Sequence, residues 1–598
     1  MGNKKKTIIN IIVAVIVELL LIAVAGYFGF SQSTELANSW LGLNGSFSIQ
    51  NLVNVALNSG NKMPVQAKLY VFGATGIGIL ITLSPLIFTA IVLYGYFKKP
   101  SEEIYGNARF ANDNEIKKAG LLPDKKSRQN NKYPSILLGK YKGKYLHFAG
   151  QQFVMLSAPT RSGKGVSIVI PNLLNYSDST VSIDIKFENF ISTAGFRKSQ
   201  GQEVFLFSPD GYADSEEARR NGIVRSHCYN PLHYVRRDPK FRDGDIQQIF
   251  TIIFPPKAGE IWNESAANFA RGLTAFLMDL EANGDLDRSE VNLPKLVELG
   301  GGEGGYVGTI ERAIELHNEG EIILSSSCLA EFNRFLALHE GGQKSVLLTF
   351  NAEMGIYNTP TCKKATSGND FDFNNLRRKR TSIYIGLSPN GLIMYAKLIN
   401  LFFSQLISVN TQVLPDQDPS LKYQVLMVLD EFPALGEVKI VADAISYTAG
   451  YNLRYLMIIQ SESQLEHIYG KERANNIRLN CMVQLIFPPK EVNQYTNQVS
   501  ETLGYKTVKS KSTSYSYSGG NRSRSVSDKI ERRALMLPQE IVDLGTINHK
   551  SGVSLKEIVI MEKVKPFISD KIIYFDEQIF SERKEYSVKN IPEIPTLF

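Results

Sequence analysis

Cysteine is scarce in this chain. Four occur in 598 residues, at Cys228, Cys328, Cys362 and Cys481, with no C-x-x-C pair and no histidine at zinc-ligand spacing. That argues against a disulfide framework and a structural zinc, and for four reduced, small core hydrophobes in the cytosol. A charge excess of one sign is missing as well. The net charge of +7, from 66 basic and 59 acidic residues, permits contact with nucleic acid or anionic lipid but demands neither. No long internal repeat interrupts the chain. Its 43% hydrophobic content is sufficient for conventional cores over a length that accommodates several domains.

The first hundred residues break from that composition. Residues 8–30 and 69–97 are almost wholly apolar, and about twenty such residues span a bilayer. Lys4 to Lys6 precede the first run and Lys98 and Lys99 follow the second. By the positive-inside rule the N-terminus and everything after Lys99 are cytoplasmic, residues 31–68 form an extracytoplasmic loop, and residues 1–100 form a membrane anchor. The alternative for the first run is a cleaved signal peptide, but it is long for an h-region and ends in a poor cleavage site. Glu18 falls mid-membrane, where its charge needs a partner, a proton or a bundle interior. A functional role and burial at a helix contact fit it equally.

Strand and helix patterns alternate after Gly150. Strands are expected over 153–157, 179–184 and 203–207, then again over 381–387, 424–430, 454–460 and, last, 482–487. From 259 to 350 the periodicity is helical, with Ala266, Phe269, Ala270, Leu273, Phe276, Leu277 and Leu280 on one face. The expected fold is therefore α/β, a parallel sheet covered by helices over 101–258 and 351–598, with an inserted all-α domain over 259–350. Two basic stretches stand apart: Arg377-Arg-Lys-Arg380, and the Ser- and Tyr-rich residues 506–533, expected as a mobile loop or extended hairpin. Each is either a solvated face or a nucleic-acid contact.

The strand ending at Ser157 runs into Ala158, Pro159, Thr160, Arg161, Ser162, Gly163, Lys164, Gly165 and Val166. This is a P-loop pattern with Ala158 for the first glycine and Gly165 for the usual Ser/Thr. Such a turn lets backbone N–H groups converge on phosphate oxygens, aims a helix N-terminus at the anion, and adds the charge of Lys164. The usual magnesium hydroxyl is missing; Thr160, Ser162, Ser167 or water is left to replace it. A second apolar strand ends in Asp430-Glu431, where Asp430 suits Mg²⁺ and Glu431 suits the base that polarises water. Phe432-Pro433 argues against a helix starting there. A third strand ends in Gln460, which is either a γ-phosphate sensor or a helix cap. Functional residues at the C-terminal ends of parallel strands match the rule for ligand sites in open α/β sheets.

These motifs occur in order with Tyr105-Gly-Asn-Ala-Arg-Phe-Ala, Ile170-Pro-Asn-Leu-Leu, Asp184-Ile-Lys-Phe-Glu188, Asn230-Pro-Leu and Gln460-Ser-Glu-Ser-Gln464. Together, over about residues 105–544, the chain resembles type IV coupling proteins of the TraG family, conjugative DNA-transfer ATPases, with a likeness to members from Gram-positive conjugative plasmids. In that family Gly165 after the P-loop lysine is usual. The resemblance implies a RecA-like P-loop motor with an inserted all-α domain behind two transmembrane helices. It further implies ATP and Mg²⁺ as cofactors, a homo-hexamer at a type IV secretion channel, and relaxase-bound single-stranded DNA with accessory proteins as substrate. Two other readings share the motor: a double-stranded DNA pump of the FtsK type, and a docking receptor whose ATP site serves assembly. Arg454 and Arg478 are candidates for an arginine acting in trans.

Overall fold

An apolar run in lipid satisfies its backbone groups only as a helix or a closed barrel. Both runs near the N-terminus are helical in the computed structural model, which describes residues 2–97, 103–256, 261–518 and 521–598. The chain divides into two units, Met1–Ile104 and Tyr105–Phe598. In the first, α1 (Gly2–Leu41), α2 (Ile49–Asn58) and α3 (Val65–Phe97) follow one another. The span expected over 8–30 thus runs on to Leu41, the one expected over 69–97 begins at Val65, and the segment between is itself partly helical. Lys98 and Lys99 lie outside the described residues. Among the described residues α1 and α3 are the two helices long and apolar enough to cross a membrane.

The two long helices meet through small residues. A Cβ on Gly29 would lie 2.5 Å from the Gly78 carbonyl oxygen, and one on Gly78 would lie 2.8 Å from that of Gly29. Such backbone approach is how helices associate where the solvent offers no hydrophobic drive. Glu18 lies at this contact, and its Oε2 accepts a hydrogen bond from Thr89 Oγ1 at 2.9 Å.

The second unit is built on β1 (Ser135–Tyr141), β2 (Lys144–Ala149), β3 (Val154–Ser157), β4 (Ser179–Ile185), β5 (Glu203–Phe207), β6 (Thr381–Leu387), β7 (Val425–Leu429), β8 (Leu453–Ile459), β9 (Val483–Ile486), β10 (Tyr505–Ser518), β11 (Asn521–Ala534), β12 (Lys556–Met561) and β13 (Val564–Asp570). Eleven of them form one sheet in the order β2-β1-β13-β12-β9-β3-β8-β7-β4-β6-β5. From β9 to β5 all pairs are parallel, and β12, β13, β1 and β2 extend the sheet antiparallel. The seven expected strands are present within a residue or so at each end. The expectation that 482–487 is the last strand fails: β12 and β13 follow it, and β1 and β2 precede β3. The low-complexity stretch is a hairpin, with β10 and β11 paired in continuous register from Tyr505–Ala534 to Ser518–Asn521.

Between β5 and β6 the described chain is helical and strand-free, from helix Glu216–Arg220 to helix Pro360–Ala365. The helical stretch is therefore wider than 259–350. Helix Ile261–Asn283 packs against helices Pro239–Ile253, Ser326–Leu336 and Glu340–Met354. One hydrophobic core continues from Phe269 and Phe350 in this bundle to Ile383 and Met427 in the sheet.

Two basic features of the sequence are internal supports. Arg377 is 3% exposed; its guanidinium donates to Asn410 Oδ1 and to the carbonyls of Val413 and Tyr451, while Arg378 pairs with Asp418 and Lys379 with Glu203. Arg377 is thereby spent inside the fold, while Arg378 and Lys379 stay exposed in their ion pairs. Arg454 is fully buried in the middle of the sheet and donates to the carbonyls of Gln152 at 2.9 Å, Pro134 at 3.1 Å and Phe148 at 2.8 Å. It cannot reach a neighbouring subunit, which removes it as an arginine acting in trans. Arg454→Ala strands three carbonyls, and about 3 kcal/mol of stability should be lost. Urea unfolding measures this; a loss under about 1 kcal/mol would mean the carbonyls find other donors.

Candidate active site

β3, β8 and β7 are adjacent, with β8 in the middle. Because they are parallel, the loops leaving all three emerge on one edge of the sheet, and these loops carry the P-loop, Gln460 and Asp430-Glu431. The P-loop leaves β3 with Ala158 N donating to the Ile459 carbonyl at 2.9 Å, which fixes it to the end of β8. Arg161 (φ 63°) and Gly163 (φ 88°) both take left-handed backbone, Gly163 where glycine is suited and Arg161 at a cost. Alternating left- and right-handed residues turn successive N–H groups into one concavity, the geometry of an anion nest. Gly165–Val169 then opens as a π-helical turn that continues into helix Ile170–Leu173.

Lys164 extends from this turn to both acids. It forms an ion pair with Glu431 and lies 2.9 Å from Asp430 Oδ1. Burial works against the Lys164 charge, but Asp430 and Glu431 outweigh it and hold its pKa above the ordinary lysine value. Burial lifts Asp430 above the ordinary carboxylate value against the pull of Lys164. Glu431 itself is left-handed (φ 56°), which aims its side chain back at the P-loop. A short 3₁₀ helix, Phe432–Leu435, starts directly after it, contrary to the expectation that Phe432-Pro433 bars a helix there. Gln460 completes the set: its Nε2 donates to Glu431 Oε2 at 2.8 Å and its Oε1 accepts from Thr160 Oγ1 at 3.3 Å. It does not cap the next helix; Ser461 does.

A magnesium–nucleotide complex fits this donor set. Ser162 Oγ and Ser167 Oγ are buried without a hydrogen-bond partner among the described residues, and Asp430 Oδ1 faces Lys164 at 2.9 Å. Two orphaned hydroxyls in and just after the loop are costly to leave unpaired, and beside Asp430 they suit a hard cation and its anion. No cluster of three or more metal-ligating side chains occurs among the described residues. That suits Mg²⁺, which binds through one or two carboxylates, water and substrate phosphates. Of the hydroxyls weighed as replacements for the missing one at Gly165, that of Thr160 is engaged by Gln460, while those of Ser162 and Ser167 are free.

Further along the same edge, buried Asp184 accepts from the backbone N–H groups of Asn189 and Phe190, and burial raises its pKa to about 7. Arg478 bonds Asn475 on its own helix and lines a surface cavity with Glu462, Gln484 and Tyr495. Sequence reasoning does not reach Val553 and Lys571, which touch the P-loop from the C-terminal strands; neither sits in a motif.

The profile of the family described as Type IV secretory system Conjugative DNA transfer matches residues 109–592. The chain belongs to this family. Within it, the chain is 29% identical over 534 residues to Protein VirD4 of Agrobacterium fabrum, covering 87% of this chain and 73% of that one. It is 27% identical over 549 residues to Conjugal transfer protein TraG of Escherichia coli, covering 85% and 83%. The fold is that of plasmid coupling protein TrwB, solved in complex with ADP and Mg²⁺, at a TM-score of 0.54 and 15% identity over 79% of this chain and 96% of that one.

The two loop glycines should behave oppositely. A Cβ at Gly163 would sit at positive φ and 2.4 Å from Val553 Cγ1, whereas one at Gly165 meets nothing within 4 Å. Gly163→Ala should cost about 2 kcal/mol or more and abolish nucleotide binding. Gly165→Ala should fold as well as the parent or gain about 0.5 kcal/mol. Thermal unfolding with and without ADP distinguishes them, and equal behaviour would refute this account of the loop.

Proposed function

We propose that this chain is a membrane-anchored coupling ATPase of conjugative type IV secretion that recruits relaxase-bound single-stranded DNA to the secretion channel and drives its transfer with ATP. The observation that carries the reading is the convergence of Lys164, Asp430, Glu431 and Gln460 on one sheet edge, in a chain of the conjugative DNA-transfer family. The cofactors are ATP and Mg²⁺, in keeping with the TrwB complex with ADP and Mg²⁺.

In the proposed mechanism Ala158 to Val166 wrap the phosphates with backbone N–H groups, and Lys164 exchanges its carboxylate partners for the outer phosphates. Asp430, released from Lys164, would hold Mg²⁺, which when bound would neutralise charge on the phosphoryl oxygens. Glu431 takes a proton from the attacking water as its oxygen bonds to the γ-phosphorus and the bond to the bridging oxygen breaks. Gln460 bridges Glu431 and the P-loop residue Thr160, so it is placed to register whether a γ-phosphate is present. Until nucleotide arrives, the lysine is paired with the base.

The anchor reading places the N-terminus and the motor in the cytoplasm with α1 and α3 spanning the membrane, and the working form is a homo-hexamer. The hairpin of β10 and β11 carries Lys506, Lys509, Lys511, Arg522, Arg524, Lys529, Arg532 and Arg533 against two acids, and with the exposed Arg378 and Lys379 is the basic surface proposed for DNA. Three readings compete for this motor: transfer of a relaxase-bound strand, pumping of duplex DNA, and docking in which ATP serves assembly. The family match favours the first.

Lys164→Ala and Glu431→Gln should each reduce ATPase turnover at least about 100-fold and abolish mating, with Glu431→Gln retaining nucleotide affinity. Wild-type turnover in either would refute the assigned roles, and mating without turnover would favour docking. Affinity for single-stranded DNA should fall steeply with salt, and Lys506→Glu/Lys509→Glu/Arg533→Glu should weaken it and flatten the salt slope. An unchanged affinity would reduce the hairpin to solvated surface.

A further inference from the structure

The phosphate-binding loop is held from behind by a part of the chain four hundred residues away. Lys571, the residue after β13, is 2% exposed, and its Nζ donates to the Ser162 carbonyl at 3.1 Å and to Ser554 Oγ at 2.7 Å. The ammonium also lies 3.5 Å from the centroid of the Phe487 ring, at the end of β9. Val553, beside Ser554, packs against Gly163 so closely that a Cβ there would collide with it. We infer that Lys571 and Val553 are positioning residues for nucleotide: Lys571 pins the Ser162 carbonyl outward and Val553 confines Gly163, so the intervening N–H groups stay turned toward the phosphates.

The loop's own geometry supplies the reason. Left-handed residues on either side of Ser162 make the nest, and one of them, Arg161, has no glycine-like freedom to relax there. A flip of the Ser162–Gly163 peptide changes ψ of Ser162 and φ of Gly163, which glycine tolerates, and would turn the Ser162 carbonyl into the anion site. A lysine donating to the Ser162 carbonyl opposes such a flip directly. Anion-binding loops of this kind need their carbonyls engaged on the far side, and no other side chain donates to this one among the described residues.

Keeping this cation buried is expensive. Its counter-charge is Glu557 on β12, 1% exposed, which accepts from Ser569 Oγ at 2.9 Å and does not pair directly with the lysine. Burial lowers the Lys571 pKa from the ordinary lysine value and raises that of Glu557 above the ordinary carboxylate value. Neutral or charged, the amine still has hydrogens to donate, so the contact with Ser162 survives titration. The sheet itself needs no charge at either position; an apolar pair of similar volume would pack there at less cost. The contact with the P-loop is what the lysine adds.

The proposal rests on the P-loop reading and is tested beside it, by binding of fluorescent ADP to the full-length protein in detergent with Mg²⁺. Lys571→Met/Glu557→Gln removes the donor without stranding a buried carboxylate, and its reference is Glu557→Gln alone. Affinity should be at least tenfold weaker in the double variant than in the reference, with unfolding temperatures within a few degrees and KM for ATP raised more than kcat is lowered. Val553→Ala, at a half-buried position, should weaken ADP about threefold, and it decides the matter if the double variant does not fold. ADP affinities within twofold of reference, in the double variant if folded and in Val553→Ala, overturn the inference. Lys164→Ala separates the layers: wild-type ATPase there sinks the P-loop reading itself, whereas lost ATPase there with unaltered ADP binding in the clamp variants sinks only the inference.

Discussion

One cation joins the ends of neighbouring strands. Lys164, at the start of the helix after β3, is held by Asp430 and Glu431 at the end of β7, and Gln460, at the end of β8 between them, bonds the same Glu431. In the interior such a pair of carboxylates is tenable only because the lysine is there, and the lysine keeps its charge only because of them. Around this mutual dependence the rest of the sheet edge is arranged: left-handed backbone at Arg161, Gly163 and Glu431 turns each loop inward to meet the others. A phosphate that competes for the lysine therefore reaches all three strands at once. That is how a local binding event acquires mechanical leverage in a fold of this kind.

The sheet divides into a working half and a bracing half. β9, β3, β8, β7, β4, β6 and β5 are parallel and offer one edge to ligand, while β12, β13, β1 and β2 run antiparallel and close the other side of the P-loop. Parallel strands need crossovers, which explains the helical bundle between β5 and β6 and the long separations in sequence. The chain leaves β9 through a helix, the β10–β11 hairpin and a second helix before the C-terminal hairpin of β12 and β13 pairs antiparallel with β9 and brings Val553 and Lys571 behind the loop.

Much of the site was legible because its signals are local. A strand, a glycine-bearing turn with a lysine and a helix are contiguous in 154–173, and an apolar strand ending in two acids is contiguous in 425–431. The motif order was specific enough to identify the family, and the sheet strands were readable as short apolar runs. What was not legible depends on long-range packing. β1 and β12 hold contiguous apolar runs, 136–138 and 558–561, but these are short and flanked by charge, and β2 and β13 are polar-interrupted, so none stands out until its partners are known. Arg454 and Arg377 read as free cations because nothing in the sequence marks that carbonyl clusters would surround them. Phe432-Pro433 was read as a helix breaker, yet proline at the first turn of a 3₁₀ helix loses no hydrogen bond.

The fate of the two buried arginines bears on where a motor of this kind can carry exposed charge. Arg454 spends its donors on the carbonyls of Pro134, Phe148 and Gln152, and Arg377 on Asn410 Oδ1 and the carbonyls of Val413 and Tyr451, so both are buried braces removed from any intersubunit role. Arg478, by contrast, lies beyond β8 on the helix that begins at Glu462 and is partly open to solvent beside a polar cavity. The helix after the Gln460–Ser461 turn is interrupted at Gly470 (φ 74°, ψ 159°), so Arg478 sits on the segment beyond the kink, close to the start of β9. What Arg478 keeps, unlike those two arginines, is access to solvent.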